Sequence, residues 1–234
     1  MFDYVGGKAE FKLFGADKDA LGLAVARLKE KYDGIKAAFK TVYGDTLFVI
    51  DGKDIPAEKL DSATKAFIKN FGTYIYAEGN VDLKIGKRKL CVAESFTGGR
   101  LAHSIVSIPG ASEVFYSGLV CYDTDAKIRY LGVSEETVRL KTVVSRDVAF
   151  EMVRGLLSNG TCNVALSTTG YASPTGDPER PGGLCFIGAG EEDKVEVNGY
   201  RFKGGRSDVI EQGKNAALFM LCKILRGGLT YNRV

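Results

Sequence analysis

From Lys89 onward, short apolar segments alternate with helical patterns, and no other feature constrains the fold of this 234-residue chain as tightly. Leu90–Ala93, Val114–Tyr122, Cys162–Ser167 and Gly183–Ile187 are too short for core helices and read as strands. Between and after them, Gly98-Gly99 leads into a helix through Leu101, Ala102, Ile105 and Val106, and residues 126–129 are helical. Ser145 caps a helix through Val148, Met152, Val153 and Leu156, and Asp208 is expected to cap the last one, through Ala216, Leu218, Leu221 and Leu225. Such alternation predicts an α/β layer architecture, and leaves strand order and direction open.

The first 80 residues read differently. Residues 9–14 alternate as a half-buried strand does, and Asp17 precedes a helical pattern with Leu21, Leu23, Ala24, Leu28 and Tyr32. Thr46–Ile50 is a second strand ended by Asp51-Gly52, Pro56 opens a helix with Leu60, Ala63, Phe67 and Ile68 on one side, and Thr73–Tyr76 reads as a third short strand. A polar, Gly-bearing stretch over Glu78–Asn80 and Lys84–Lys89 marks the expected boundary: a small α+β domain over 1–80 and a larger one over 85–234.

Composition narrows the partners. With 32 basic and 29 acidic residues the chain lacks the charge of a duplex-binding protein. Its basic clusters, Lys84–Lys89 and Lys203–Arg206, include a solvated turn rather than a nucleic-acid patch. Five cysteines, odd in number and widely spaced, indicate neither a CxxC metal site nor a disulfide framework. They suit a reducing cytosol, and neither a signal peptide at Met1–Lys8 nor a membrane-length apolar run is evident, so a cytoplasmic protein is expected.

Three polar loops follow apolar strands. Ala93–Gly99 (AESFTGG) lies between a buried strand and a helix, where backbone N–H groups and the positive helix end face an entering anion or carbonyl oxygen. It is neither a Walker loop nor a GxGxxG fingerprint, and taken alone Ser95 and Thr97 read as helix-capping hydroxyls. Tyr122–Lys127 reads alone as a surface turn with a capped helix, whereas Thr168–Pro178 is a long irregular loop of the kind that carries function. All three can converge at one sheet edge. His103 is the single histidine and sits in a helical pattern, which discounts a Ser-His-Asp triad and a histidine metal site; a serine nucleophile would need another activator, commonly a lysine of depressed pKa.

Together the loops resemble the CinA C-terminal domain family, which includes nicotinamide-nucleotide amidases. The family's Ala-Glu-Ser-Cys-Thr-Gly-Gly signature stands here as Ala93–Gly99 with Phe96 for Cys. Its Tyr-x-x-x-x-Lys element matches Tyr122 and Lys127, followed by Leu131-Gly132-Val133 and Val144-Ser145; its Gly-x-Ala-Gly-Pro loop matches Gly170–Pro174; and Arg180-Pro181-x-Gly183 stands for Lys-Pro-x-Gly. The first 80 residues, Phe71–Gly79 above all, are similar to the KH-like module before this domain in full-length CinA, although no Gly-x-x-Gly clamp is present among Gly6, Gly7, Gly15, Gly22 and Gly34, so no nucleic-acid partner is expected.

The resemblance implies a sheet flanked by helices in a three-layer-like arrangement, preceded by a small α+β KH-like domain. It implies hydrolysis of the carboxamide of nicotinamide mononucleotide to nicotinic acid mononucleotide and ammonia, in a homo-oligomer, without cofactor or metal. Carried onto this chain, Ser95 is the nucleophile, Lys127 and Tyr122 take and relay its proton, and the N–H groups around Thr97, Gly98 and Gly99 receive an oxyanion or phosphate. Glu94, Gly170, Ala172, Ser173 and Arg206 complete the implied substrate contacts. Ser173 replaces a family glycine, Asp177 stands where the family has a second glycine, and Gly205 and Ile210 break a Gly-Asp-Arg element and the arginine after it. Those departures motivate the alternative: a catalytically idle or altered-substrate relative that binds a nucleotide or a protein partner.

Overall fold

A computed structural model of the chain describes Tyr4 and residues 6–78, 88–192 and 194–225. It divides into two compact units, Met1–Asp82 and Leu83–Val234. Most of the expected boundary stretch, and most of the Lys84–Lys89 cluster, lie outside the described residues.

The first unit runs β1 (Lys8–Phe14), α1 (Lys18–Lys31), β2 (Lys36–Val42), β3 (Asp45–Asp51), α2 (Ala57–Phe71) and β4 (Ile75–Glu78), with the strands antiparallel in the order β2-β3-β1-β4. Period-two alternation sends Ala9, Phe11 and Leu13 of β1 and Phe48 and Ile50 of β3 to one face, where Leu21 and Leu28 of α1 and Leu60, Ala63, Phe67 and Phe71 of α2 bury them. Phe48 and Phe67 stack with centroids 4.0 Å apart. Asp17 caps α1 as the sequence predicts, accepting from the Ala20 N–H at 2.8 Å. Two features differ from expectation. The last strand lies at Ile75–Glu78 rather than 73–76, and β2 is additional: an edge strand whose one fully buried side chain is Ala37, it carries too little apolar contrast to stand out.

The second unit is the expected α/β domain, with helices flanking a mixed sheet. Its elements are β5 (Leu90–Glu94), α3 (Arg100–Val106), a 3-10 turn (Ala111–Glu113), β6 (Phe115–Val120), α4 (Thr124–Leu131), α5 (Glu135–Lys141), α6 (Arg146–Ser158), β7 (Val164–Gly170), β8 (Leu184–Glu191), β9 (Lys194–Arg201) and α7 (Arg206–Leu225). The order is β6-β5-β7-β8-β9, parallel from β6 through β5 to β7 and antiparallel beyond. Every residue of β5 is buried, because the strand is covered on both faces. Cys91 and Ala93 pack into a cluster with Leu131 of α4 and Val148, Met152, Val153 and Leu156 of α6, whereas α3 and α7, in contact with each other, lie against the sheet through β5 and β6 and through β7 and β8 respectively. The five cysteines are buried, and none forms a disulfide.

Strand β9 and helix α5 went unforeseen, and the last helix starts earlier than Asp208: it opens at Arg206, and the Asp208 carboxylate reaches back from the first turn to the Gly205 N–H at 2.8 Å, the return half of a capping box. Thr168, Thr169 and Gly170, expected in a loop, are the last residues of β7, paired with Ile187, Phe186 and Cys185.

Candidate active site

The carboxyl ends of β5, β6 and β7 stay laced together past their last residues. The Cys121 N–H donates to the Glu94 carbonyl at 2.8 Å and the Ser95 N–H to the Thr168 carbonyl at 3.0 Å. Three loops therefore leave the parallel part of the sheet at one edge, the position where open α/β folds take ligands.

The loop after β5 is built by Glu94. Its fully buried carboxylate accepts from the Gly99 and Leu101 N–H groups, both at 3.0 Å, and from the Ala102 N–H at 2.8 Å. A helix start leaves its first N–H groups unpaired, and a carboxylate satisfies them with both hydrogen bonds and charge. The chain folds back onto Glu94 because Gly98 (φ +56°) and Gly99 (φ +94°) are successive left-handed residues that side chains disfavour. The Thr97 and Thr168 hydroxyls share a hydrogen bond of 2.7 Å, fixing the loop to β7.

This construction corrects part of the expected donor set. The Gly98 N–H is spent on the Ser95 carbonyl (3.1 Å) and that of Gly99 on Glu94, so neither points to a ligand. Among the described residues the backbone N–H groups of Phe96 and Thr97 donate to no protein acceptor.

Lys127 is the large buried cation of this unit, with 1% of its surface exposed. It projects from α4 back toward the end of β6 and donates to the carbonyls of Cys121 (2.7 Å), Tyr122 (3.1 Å) and Asp123 (3.4 Å). Burial lowers its pKa below the ordinary lysine value, against the opposing influence of Cys121 and Asp123. The Asp123 side chain caps α4 through the Asp125 N–H at 2.8 Å, so the local reading of this turn as a capped helix also holds.

Ser95, Phe96, Tyr122, Thr124, Lys127, Val143, Val144, Thr169, Gly170, Tyr171, Ala172 and Arg206 line one cleft of about 220 Å³. The structure thus brings together the three expected reacting groups with Gly170, Ala172 and Arg206. Ser95 is nearly buried, Tyr122 is exposed, and the Tyr122 hydroxyl accepts from Arg206 Nη2 at 2.9 Å. Among the described residues no direct hydrogen bond joins the Ser95 hydroxyl to Lys127. Glu94, Thr97, Gly98, Gly99 and Ser173 do not line the cleft. One wall is shaped by Thr142, a β-branched residue held at φ +68° whose hydroxyl donates to the Val144 carbonyl at 3.2 Å, while Thr169 Oγ1 donates to the Val143 carbonyl at 2.9 Å. Among the described residues no cluster of His, Cys, Asp and Glu could hold a metal ion, and no helix is long and apolar enough to cross a membrane.

The family model for the CinA C-terminal domain matches residues 76–225. The chain belongs to the CinA family. It is 39% identical over 182 residues to a competence-damage inducible protein of Caldicellulosiruptor saccharolyticus, a match covering 74% of this chain and 43% of that protein. The chain therefore spans less than half the length of that curated relative. Among solved structures it resembles the competence/damage inducible protein CihA from Agrobacterium tumefaciens (35% identity, TM-score 0.56, 58% of this chain and 84% of that one). It also resembles the competence damage-inducible protein A from Klebsiella pneumoniae (27% identity, TM-score 0.58, 60% and 88%).

Against the CinA pattern, Phe96 is a departure that lines the cleft, whereas Ser173, Asp177, Gly205 and Ile210 fall outside it. Ser173 is not in the left-handed region and so introduces no backbone strain. The Asp177 carboxylate is occupied locally, by the Glu179 N–H at 2.9 Å and Arg180 Nε at 3.4 Å. Gly205 donates its N–H to Asp208, and Arg206 holds its place in the cleft. Thr124, Thr169, Tyr171, Val143 and Val144 were not among the expected site residues, and Phe96 was noted only as a departure from the CinA signature. Tyr171 and Val144 stood inside quoted CinA motifs, and that adjacency was the available signal.

Proposed function

We propose that the second unit is an amidohydrolase that converts nicotinamide mononucleotide to nicotinic acid mononucleotide and ammonia. The observation that carries this reading is a single cleft lined by a near-buried serine hydroxyl and a buried lysine of lowered pKa, beside two unpartnered backbone N–H groups. Ser95 Oγ attacks the carboxamide carbon, and its proton passes to the Lys127 amine directly or across one water. To take it, the neutral amine gives up the long 3.4 Å contact to the Asp123 carbonyl and turns its lone pair toward Ser95 Oγ, keeping the two shorter carbonyl contacts. The Phe96 and Thr97 N–H groups receive the oxyanion, at about 3–4 kcal/mol per fixed donor. Protonation of the leaving nitrogen releases ammonia and leaves a Ser95 ester, which water hydrolyses to the acid. Arg206, held by Tyr122, receives the substrate phosphate. The chemistry calls on no cofactor, and the reading includes a cytoplasmic homo-oligomer.

Binding without turnover is the second reading. It is favoured by the three carbonyls that together accept from all three donors of a Lys127 ammonium. Ammonia release from nicotinamide mononucleotide decides between them. Release by the intact chain and none by Ser95→Ala is expected; wild-type release no greater than that of Ser95→Ala, with the nucleotide bound, establishes the second reading instead.

A further inference from the structure

Helix α7 contains a glycine that its own stability does not favour. Gly213 is buried at its eighth position, in a helix interior where glycine is less favourable than alanine. The reason lies across the interface. A Cβ at Gly213 would collide with Cζ of Phe96 and stand 2.6 Å from its Cε2, so the Phe96 ring occupies the space that any side chain at 213 would need. Phe96 is 3% exposed, follows the nucleophile Ser95 directly and lines the cleft. Four residues along, Arg100 Nη1 pairs with Glu211 Oε1 at 2.8 Å, a second tie between the same loop and the same stretch of α7.

The first residue of that helix is Arg206, whose guanidinium lies in the cleft on the Tyr122 hydroxyl. Seven residues of α-helix separate Arg206 from Gly213, about 10 Å of a rigid rod. The loop that presents Ser95 therefore grips α7 two turns from its start, and that grip fixes how far Ser95 Oγ lies from the Arg206 guanidinium. Where the CinA signature has cysteine, this chain has a ring, and Gly213 leaves the space that the ring fills.

We infer that Phe96, seated against Gly213, is a positioning residue that sets the spacing between the nucleophile and the anion-binding Arg206, and so selects for substrates whose amide and phosphate are separated as in a mononucleotide. The inference rests on the amidase reading for its chemistry and on the Phe96–Gly213 contact for its mechanism. A smaller side chain at 96 lets α7 settle toward the loop and brings Arg206 out of register, an error that acts on the phosphorylated substrate and leaves its dephosphorylated form less affected.

The test compares nicotinamide mononucleotide with nicotinamide riboside, which lacks the phosphate, in wild type, Phe96→Cys, Gly213→Ala and the double variant. In Phe96→Cys the ratio of kcat/KM for nucleotide over riboside falls on the order of tenfold. Gly213→Ala lowers the same ratio, and the double variant, in which the alanine methyl has room, regains part of it. If Gly213→Ala alone does not fold, the comparison of Phe96→Cys with the double variant carries the same information. An unchanged ratio in Phe96→Cys, or additive losses in the double variant, overturns the inference. Absence of turnover in the wild type would refute the amidase reading separately; the ratio of the two ligands' Kd values by calorimetry then serves in place of kcat/KM, with the same outcomes on either side.

Discussion

Replacing Glu94 by glutamine isolates the bond system that shapes the nucleophile loop. In the wild type Oε2 accepts from Gly99 and Leu101 and Oε1 from Ala102. The amide oxygen of a glutamine can keep the first pair, but its NH2 then faces the Ala102 N–H, donor against donor. Losing that bond to a charged acceptor costs about 2 kcal/mol. Removing the charge from the start of α3 weakens the remaining two, for roughly 1 kcal/mol more. Cheaper burial of an amide than of a carboxylate offsets part of this, leaving an expected loss of about 2–4 kcal/mol, or roughly 5–15 °C in the Tm of the second unit. Urea unfolding followed by circular dichroism measures the loss. Hydrogen exchange locates it, with the Gly99, Leu101 and Ala102 amides exchanging faster than their neighbours. A loss below about 0.5 kcal/mol, with those amides still protected, would refute the assignment of Glu94 as the keystone of the loop.

Lys127 makes stability depend on alkaline pH. Because burial lowers its folded pKa, its contribution is fully present above the ordinary lysine value of roughly 10.4 and is lost as pH falls through the folded value. The wild-type urea midpoint should therefore climb with pH in that window by an amount missing from Lys127→Met. The rate should rise over the same range as the amine loses its proton, and Lys127→Arg, always charged, should lower kcat by about 10²–10⁴-fold without that limb; a retained limb would assign the titration to another group. Gly155 of α6 lets the backbone of α4 approach so closely that a Cβ would collide with the Leu131 carbonyl. Gly155→Ala should cost about 1–3 kcal/mol despite alanine's better helix propensity, and a variant as stable as the wild type would show that α4 yields freely.

Legibility in the sequence followed burial contrast. β5 and the start of β7 were plain because a strand covered on both faces shows a short apolar run, Leu90–Ala93 and Val164–Leu166, whereas the polar Thr168–Gly170 end of β7 read as loop. Helix α6 was plain because Val148, Met152, Val153 and Leu156 recur at helical spacing behind a serine cap. Helix α5 buries no residue at all, and β2 and β9 sit at sheet edges where few positions are packed, so they left little pattern to read. The cleft was legible through residue types: Ser95, Tyr122, Lys127 and Arg206 stand in recognisable motifs. The Glu94 carboxylate was not, because a glutamate beside a nucleophile looks like a ligand contact in one dimension. Only the fold-back through Gly98 and Gly99 reveals that it faces the helix start. Nor was the Phe96–Gly213 contact, which joins residues far apart in the chain.

Ser95 Oγ is the proposed acceptor of the carboxamide carbon, in the cleft it shares with Lys127. Acid-quenching the chain during turnover of nicotinamide mononucleotide and mapping the acyl adduct by peptide mass spectrometry tests it directly. An ester on the Ser95 peptide, absent from Ser95→Ala, is the expected result. An adduct on another residue, or ammonia release by Ser95→Ala at the wild-type rate, would contradict it.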